Sequence, residues 1–251
     1  MNPRLAGLPA REQKGSRARC LLLTDGPDDV VARRLNALVQ PFASIDPTRN
    51  QWMPKGPDHR IEARLGKVAG LLSDAHREIV TAWWLAVRKR ANTPNWDIAA
   101  TVTIGGRDGL ILVEAKAHDQ ELEVAGKSPG NTDNHGQIER AIEEADHGLN
   151  GICPGWAISC ESHYQLANRF AWAWKIASLG VPVVLVYLGF LNADEMGSPF
   201  VSAAAWERVV RSYSRGIVPE GIWERSLSVG GTPLVAAIRS LNLPLDGSAG
   251  A

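Results

Sequence analysis

Apolar positions along the chain change period in a way that marks out its elements. From residue 60, Leu65, Val68, Leu72, Ala75, Ile79, Ala82, Trp83 and Ala86 recur at three- and four-residue steps. That period predicts one long or broken helix over 60–90, with Gly66 and Gly70 as weak points. Its branched Ile79-Val80-Thr81 step is also compatible with a strand. Beyond Asn92, Pro94 and Asn95 the period becomes two. Residues 96–104 and 110–117 flank Gly105-Gly106-Arg107-Asp108-Gly109, which predicts a β-hairpin.

Around this centre the signals are shorter. Residues 1–18 have no periodicity and are expected to be loosely ordered, and 20–24 read as a strand ended by Asp25-Gly26-Pro27. A helix is expected from Asp28 or Asp29 to Gln40, stopped by Pro41, and then a proline-rich loop over 43–59. After a polar loop over 118–133, helices are predicted over 137–149 and 161–179, and a buried strand over 183–188. Helices over 203–213 and 233–241 complete the reading. The order is mixed α/β, a central sheet flanked by helices. It divides into an N-terminal extension (1–59), a core (60–191) and a helical C-terminal extension (192–251).

Composition narrows the function classes. With 27 basic and 27 acidic residues among 251, the chain is neutral, which argues against a protein that merely coats nucleic acid. It leaves room for an enzyme with a local basic groove. Cys20, Cys153 and Cys160 have no paired spacing, so neither a disulfide framework nor a zinc knuckle is expected, and a reducing cytoplasmic compartment fits. The longest apolar run, 181–191, is strand-sized, so no membrane span is expected. No secretory leader is read at the N-terminus.

The candidate chemistry lies in the hairpin. If Gly105-Gly106 is the turn, cross-strand partners sum to 211, and Asp97 falls opposite Glu114 on the same face as Lys116. Two opposed carboxylates repel unless compensated, and a hard divalent cation such as Mg²⁺, or Mn²⁺, is the natural compensation. A cation there polarises a scissile phosphate, and Lys116 would orient or deprotonate water or offset developing charge. An isolated Glu-x-Lys is commonly a plain ion pair. Here the apolar run 110–113 before it and the matching register weigh towards a site.

Asn95-Trp96-Asp97, followed after sixteen intervening residues by Glu114-Ala115-Lys116, resembles the PD-(D/E)xK nuclease superfamily, the restriction-endonuclease-like fold. The family's proline stands at Pro94, three before the aspartate instead of directly before it. The resemblance spans mainly 60–190. It implies that Asp97, Glu114 and the carbonyl of Ala115 hold the metal, that Lys116 serves the water, and that the substrate is nucleic acid, most naturally DNA, cut by a possible homodimer. It also implies a further acid on the preceding helix, Glu78 or alternatively Glu62, and a polar residue on the following helix, Gln137.

Other features have plainer readings. His118 and His135 read as loop histidines, and Arg88-Lys89-Arg90 as a solvated helix end or a phosphate contact. In the aromatic stretch 163–175, Phe170 and Trp174 share a face with Ala177 and read as core. Tyr164, Gln165 and Arg169 stay in view as possible nucleic-acid contacts. Two rival functions stand beside the nuclease: an inactive nuclease-fold binding or scaffolding module, and an unrelated α/β small-molecule binder.

Overall fold

The Gly105-Gly106 dipeptide turns the chain as its residue types require. Both glycines take positive φ (55° and 80°), the backbone of a two-residue turn whose twist matches the flanking strands. In the computed structural model, which describes residues 2–128 and 130–246, the strands on either side are β2 (Ile98–Ile104) and β3 (Arg107–Lys116). Their antiparallel register runs from Ile104–Arg107 to Ile98–Val113, each pair summing to 211.

Four more strands complete a mixed sheet: β1 (Trp52–Met53), β4 (Val183–Leu191), β5 (Ser226–Val229) and β6 (Thr232–Asn242). The order is β1-β2-β3-β4-β6-β5, with β3, β4 and β6 parallel. The crossover from β3 to β4 carries α4 (Thr132–Asn150) and α5 (Tyr164–Ser178). Together with α3 (Asp74–Trp84) and α6 (Ala203–Tyr213), these helices bury one face of the sheet, where Leu110, Leu112, Leu185 and Tyr187 point. Residues of α1 (Gly15–Leu23) and α2 (Asp28–Val39) bury the other, against Ile111, Val113, Val184 and Val186. Strands covered on both sides read as continuous apolar runs, as β3 and β4 do. Among the described residues no helix is long and apolar enough to cross a membrane.

Several expectations are corrected. Residues 20–23 end helix α1 instead of forming a strand, and residues 2–18 include turns and the first four residues of that helix. A short apolar run does not fix its own period, and α1 is helical because Ala18, Cys20, Leu21 and Leu23 all bury in that form. The long helix over 60–90 shortens to α3. Ser73 caps its start by accepting from the amide of His76, and Gly66 sits so close to Thr81 and Thr93 that no side chain would fit. The loop over 43–59 contributes the edge strand β1. The largest correction is at 233–241, which is strand β6 and not a helix. The positive-φ pair Gly230-Gly231 folds β5 back along it, so the C-terminal segment supplies two strands of the sheet.

Candidate metal and phosphate site

Asp97 lies one residue beyond the last ladder pair of the hairpin. Before it the chain departs, and Trp96 pairs instead with Ala63 of the 60–73 segment, its amide donating to Ala63 O at 2.9 Å. That departure leaves a β3 amide without its strand partner, and a buried amide must find another acceptor. Asp97 supplies it: Oδ2 accepts from the amide of Ala115 at 2.8 Å. Asp97 is thereby tied to the Glu114-Ala115-Lys116 run, at the carboxyl ends of parallel strands β3 and β4, where open α/β sheets place their ligand sites.

Glu114 and Lys116 face α5. Glu114 is 1% exposed and Lys116 5% exposed, so neither charge is shared with bulk water. Lys116 Nζ sits 2.6 Å from Glu114 Oε1, and Arg169 Nε donates to Glu114 Oε2 at 2.5 Å. From one turn earlier on α5, Gln165 Oε1 accepts from Lys116 Nζ at 2.8 Å. Arg169 stacks over the buried Trp96 ring, 4.6 Å from its centroid, and its NH1 donates to Asn168. Residues four apart on a helix share a face, so α5 presents Gln165 and Arg169 together beneath the two charged residues of β3.

The two carboxylates respond differently to this setting. For Glu114, burial opposes ionisation, but the charges of Arg169 and Lys116 outweigh it and hold the carboxyl below its usual range. For Asp97, burial and then the neighbouring charge of Glu114 push the carboxyl up to about 7, against the pull of Lys116, the Ala115 amide and Arg169. Burial and then the Glu114 charge likewise raise the Tyr187 phenol, whose hydroxyl is buried without a hydrogen-bond partner. On α1 the buried Cys20 thiol is raised first by burial and then by Asp97.

The other candidates lie elsewhere. Glu78 is on the exposed side of α3, with both oxygens taken by Arg88 at 2.6 and 2.8 Å. Gln137 ties α4 to the end of α3, donating to Trp83 O at 2.7 Å and accepting from Arg140. Neither touches Asp97, Glu114 or Lys116. Glu62 comes nearer: it accepts from Asn95, two residues before Asp97, at 2.7 Å and pairs with Arg17 at 3.2 Å. His118 reaches towards Glu121 (3.8 Å) and His135 lies beside Lys127 (3.3 Å). Phe170, Trp174 and Ala177 are core, as their spacing predicts.

The polar partner for Lys116 thus comes from the second helix after it, at Gln165, and not from the first. The helical spacing of Gln165 and Arg169 was a signal in the sequence. What the sequence lacked was the docking of α5, rather than α4, under the ends of β3 and β4.

Among the described residues no group of three or more His, Cys, Asp or Glu side chains is arranged to hold a metal ion. Two carboxylates do converge at the end of the hairpin. That number suits Mg²⁺, which takes one or two protein carboxylates and completes its shell with water and phosphate oxygens. The pKa of Asp97, raised first by burial and then by the charge of Glu114, fits the same ligand, since a cation would favour the ionised carboxylate. No family model matches this chain, and no curated protein or solved structure matches it.

Proposed function

We propose that the protein is a Mg²⁺-dependent nuclease hydrolysing phosphodiester bonds, most naturally in DNA, with a core of the restriction-endonuclease-like kind. One observation carries the reading. The hairpin register, closed by the hydrogen bond from the Ala115 amide to Asp97, sets two carboxylates and a lysine together at the carboxyl end of the sheet.

Asp97 and Glu114, with the Ala115 carbonyl, are the groups that would hold the cation. When bound, a divalent cation supplies Lewis-acid polarisation of the phosphate and acidifies a water molecule. The chain's own residues supply the rest. Asp97 would contribute its carboxylate to the cation, and the Ala115 amide, donating to Oδ2, fixes the plane of that carboxylate. Lys116, anchored by Gln165 and Glu114, orients the attacking water and offsets charge on the phosphoryl oxygens. Arg169 fixes the rotamer of Glu114, and Trp96 beneath it excludes water from that side.

Incubation with supercoiled and single-stranded DNA in Mg²⁺ or Mn²⁺ tests the reading. Wild type is expected to cleave, and Lys116→Ala to lose cleavage by at least about a hundredfold, the scale of a general acid–base or charge-stabilising group. Absence of cleavage and of cation binding in wild type would sink it. A second reading, the same fold kept as a non-catalytic binding module, draws support from one feature. Both Glu114 oxygens are engaged by cations of the chain itself. Cation binding without cleavage is the outcome that favours it.

A further inference from the structure

A groove of about 670 Å³ opens beside the carboxylate site. One wall is the segment from Arg90 to Asn95, the other the stretch around Gly126 and Lys127, and the floor is Gln165, Asn168 and Arg169 of α5. We infer that this groove binds one polynucleotide strand by its phosphates, without regard to base sequence. The inference rests on the nuclease reading for the class of ligand and adds to it where and how that ligand is held.

Charge is the first argument. In a chain with no net charge, Arg64, Arg90 and Lys127 line the groove besides Arg169, which is paired with Glu114, and Glu123 is the one acid among its lining residues. Among the described residues Arg64, Arg90 and Lys127 have no carboxylate at ion-pair distance. Arg64 is held by amides, donating to Asn95 Oδ1 at 2.6 Å and Asn92 Oδ1 at 3.3 Å, so its charge is oriented but not cancelled. Lys127 lies beside a ring nitrogen of His135 at 3.3 Å. The contrast is local: Arg88, two residues from Arg90, is neutralised by Glu78. Arg90 also holds a left-handed backbone (φ 60°), uncommon for a residue with a side chain and frequent at ligand sites.

Chemistry of the lining sets the mode of recognition. The side-chain oxygens of Asn92, Asn131, Gln165 and Asn168 accept within the chain, which leaves their NH2 groups to donate to phosphate oxygens. Stacking platforms are scarce, since Trp84 is fully buried and Tyr164 half-buried. A groove with cations and amides but few exposed rings reads the backbone and not the bases. Its volume is that of a small-ligand pocket, which admits one strand and excludes a duplex. The floor leads directly to the reaction site, because Gln165 holds Lys116 and Arg169 holds Glu114.

Equilibrium binding in EDTA, over a range of KCl concentrations, separates binding from cleavage. The probes are a labelled thymidine oligomer, the matching uridine oligomer and a blunt duplex of equal length. Both strands are expected to bind, with the tighter one identifying the preferred sugar. Arg90→Ala and Lys127→Ala are each expected to lower the slope of log K against log salt by about 0.7, the share of one phosphate contact on a single strand. Arg225→Ala, the same charge change outside the groove, is expected to leave the slope unmoved. Failure of wild type to bind either strand, tighter binding of the duplex, an unchanged slope in the groove variants, or an equal change in Arg225→Ala would each overturn the inference. Groove-dependent binding without cleavage in Mg²⁺ or Mn²⁺ would remove the nuclease reading alone. Cleavage with an unmoved salt slope would remove the groove alone.

Discussion

Asp97 and Glu114 sit side by side with the same chemistry, and their partners set them apart. Glu114 has two cations at contact distance. Asp97 is buried with one backbone amide and the repulsion of Glu114, and burial first, then that repulsion, raises its pKa from an ordinary 3.8 to about 7. A carboxyl raised on folding binds a proton that the unfolded chain has already released, so metal-free stability falls as pH rises between those values. Above the folded value the penalty is complete, and below the unfolded value it vanishes. Asp97→Asn is therefore expected to stabilise the metal-free protein at pH 8, with the gap closing towards pH 4, as urea midpoints would show. A gap independent of pH would contradict the raised value. Arg169 has the opposite character. Its removal leaves Glu114 buried with Lys116 alone, and Arg169→Ala is expected to cost about 3–5 kcal/mol in denaturant unfolding. A loss below about 1 kcal/mol would mean that Glu114 is already relieved by water.

At the level of elements, the hairpin turn and the seat of α6 control the site's frame. Gly105 and Gly106 have open space where a side chain would go, so the cost of substitution there is conformational and not steric. Gly106→Ala is expected to destabilise by about 1–2 kcal/mol, the cost of a left-handed L-residue, measured by thermal or urea unfolding. Gly189 is the reverse case. It pairs with Lys116 across the sheet, and a Cβ there would meet the Trp206 ring at 2.5 Å. Trp206 is fixed in turn, its ring N–H donating to the carbonyl of Tyr187 at 3.2 Å. Gly189→Ala is expected to cost about 1–3 kcal/mol by overpacking. A neutral effect would show that α6 can slide away from β4.

For the whole molecule the proposed cation site is tested by linkage between cation binding and folding. A cation bound only by the folded chain raises stability by about 2.7 kcal/mol at a hundredfold excess over Kd. Titration with Mn²⁺ is expected to raise the thermal midpoint of wild type and to leave that of Asp97→Ala unmoved, followed by the fluorescence of the nine tryptophans. Equal shifts in both proteins would place the cation elsewhere.

By itself the sequence determined what depends on neighbours along the chain. A glycine pair with period-two strands on either side dictates a hairpin and its register down to Ile98–Val113, one residue short of Asp97, whose carboxylate is then tied to the Ala115 amide. The spacing of Phe170 and Trp174 likewise dictates a buried helix face. Tertiary structure decided whatever depends on which surfaces meet. It turned 233–241 into a strand, because β4 offered an open parallel edge that a branched apolar segment satisfies as well as a helix would. It left Glu78 in solvent with Arg88 and Gln137 on the end of α3, and it brought Gln165 and Arg169 to the charged pair on β3. The reason is that short apolar runs and helix faces fit more than one partner. Only packing selects among those partners, and the second half of this candidate site lies across such a packed face.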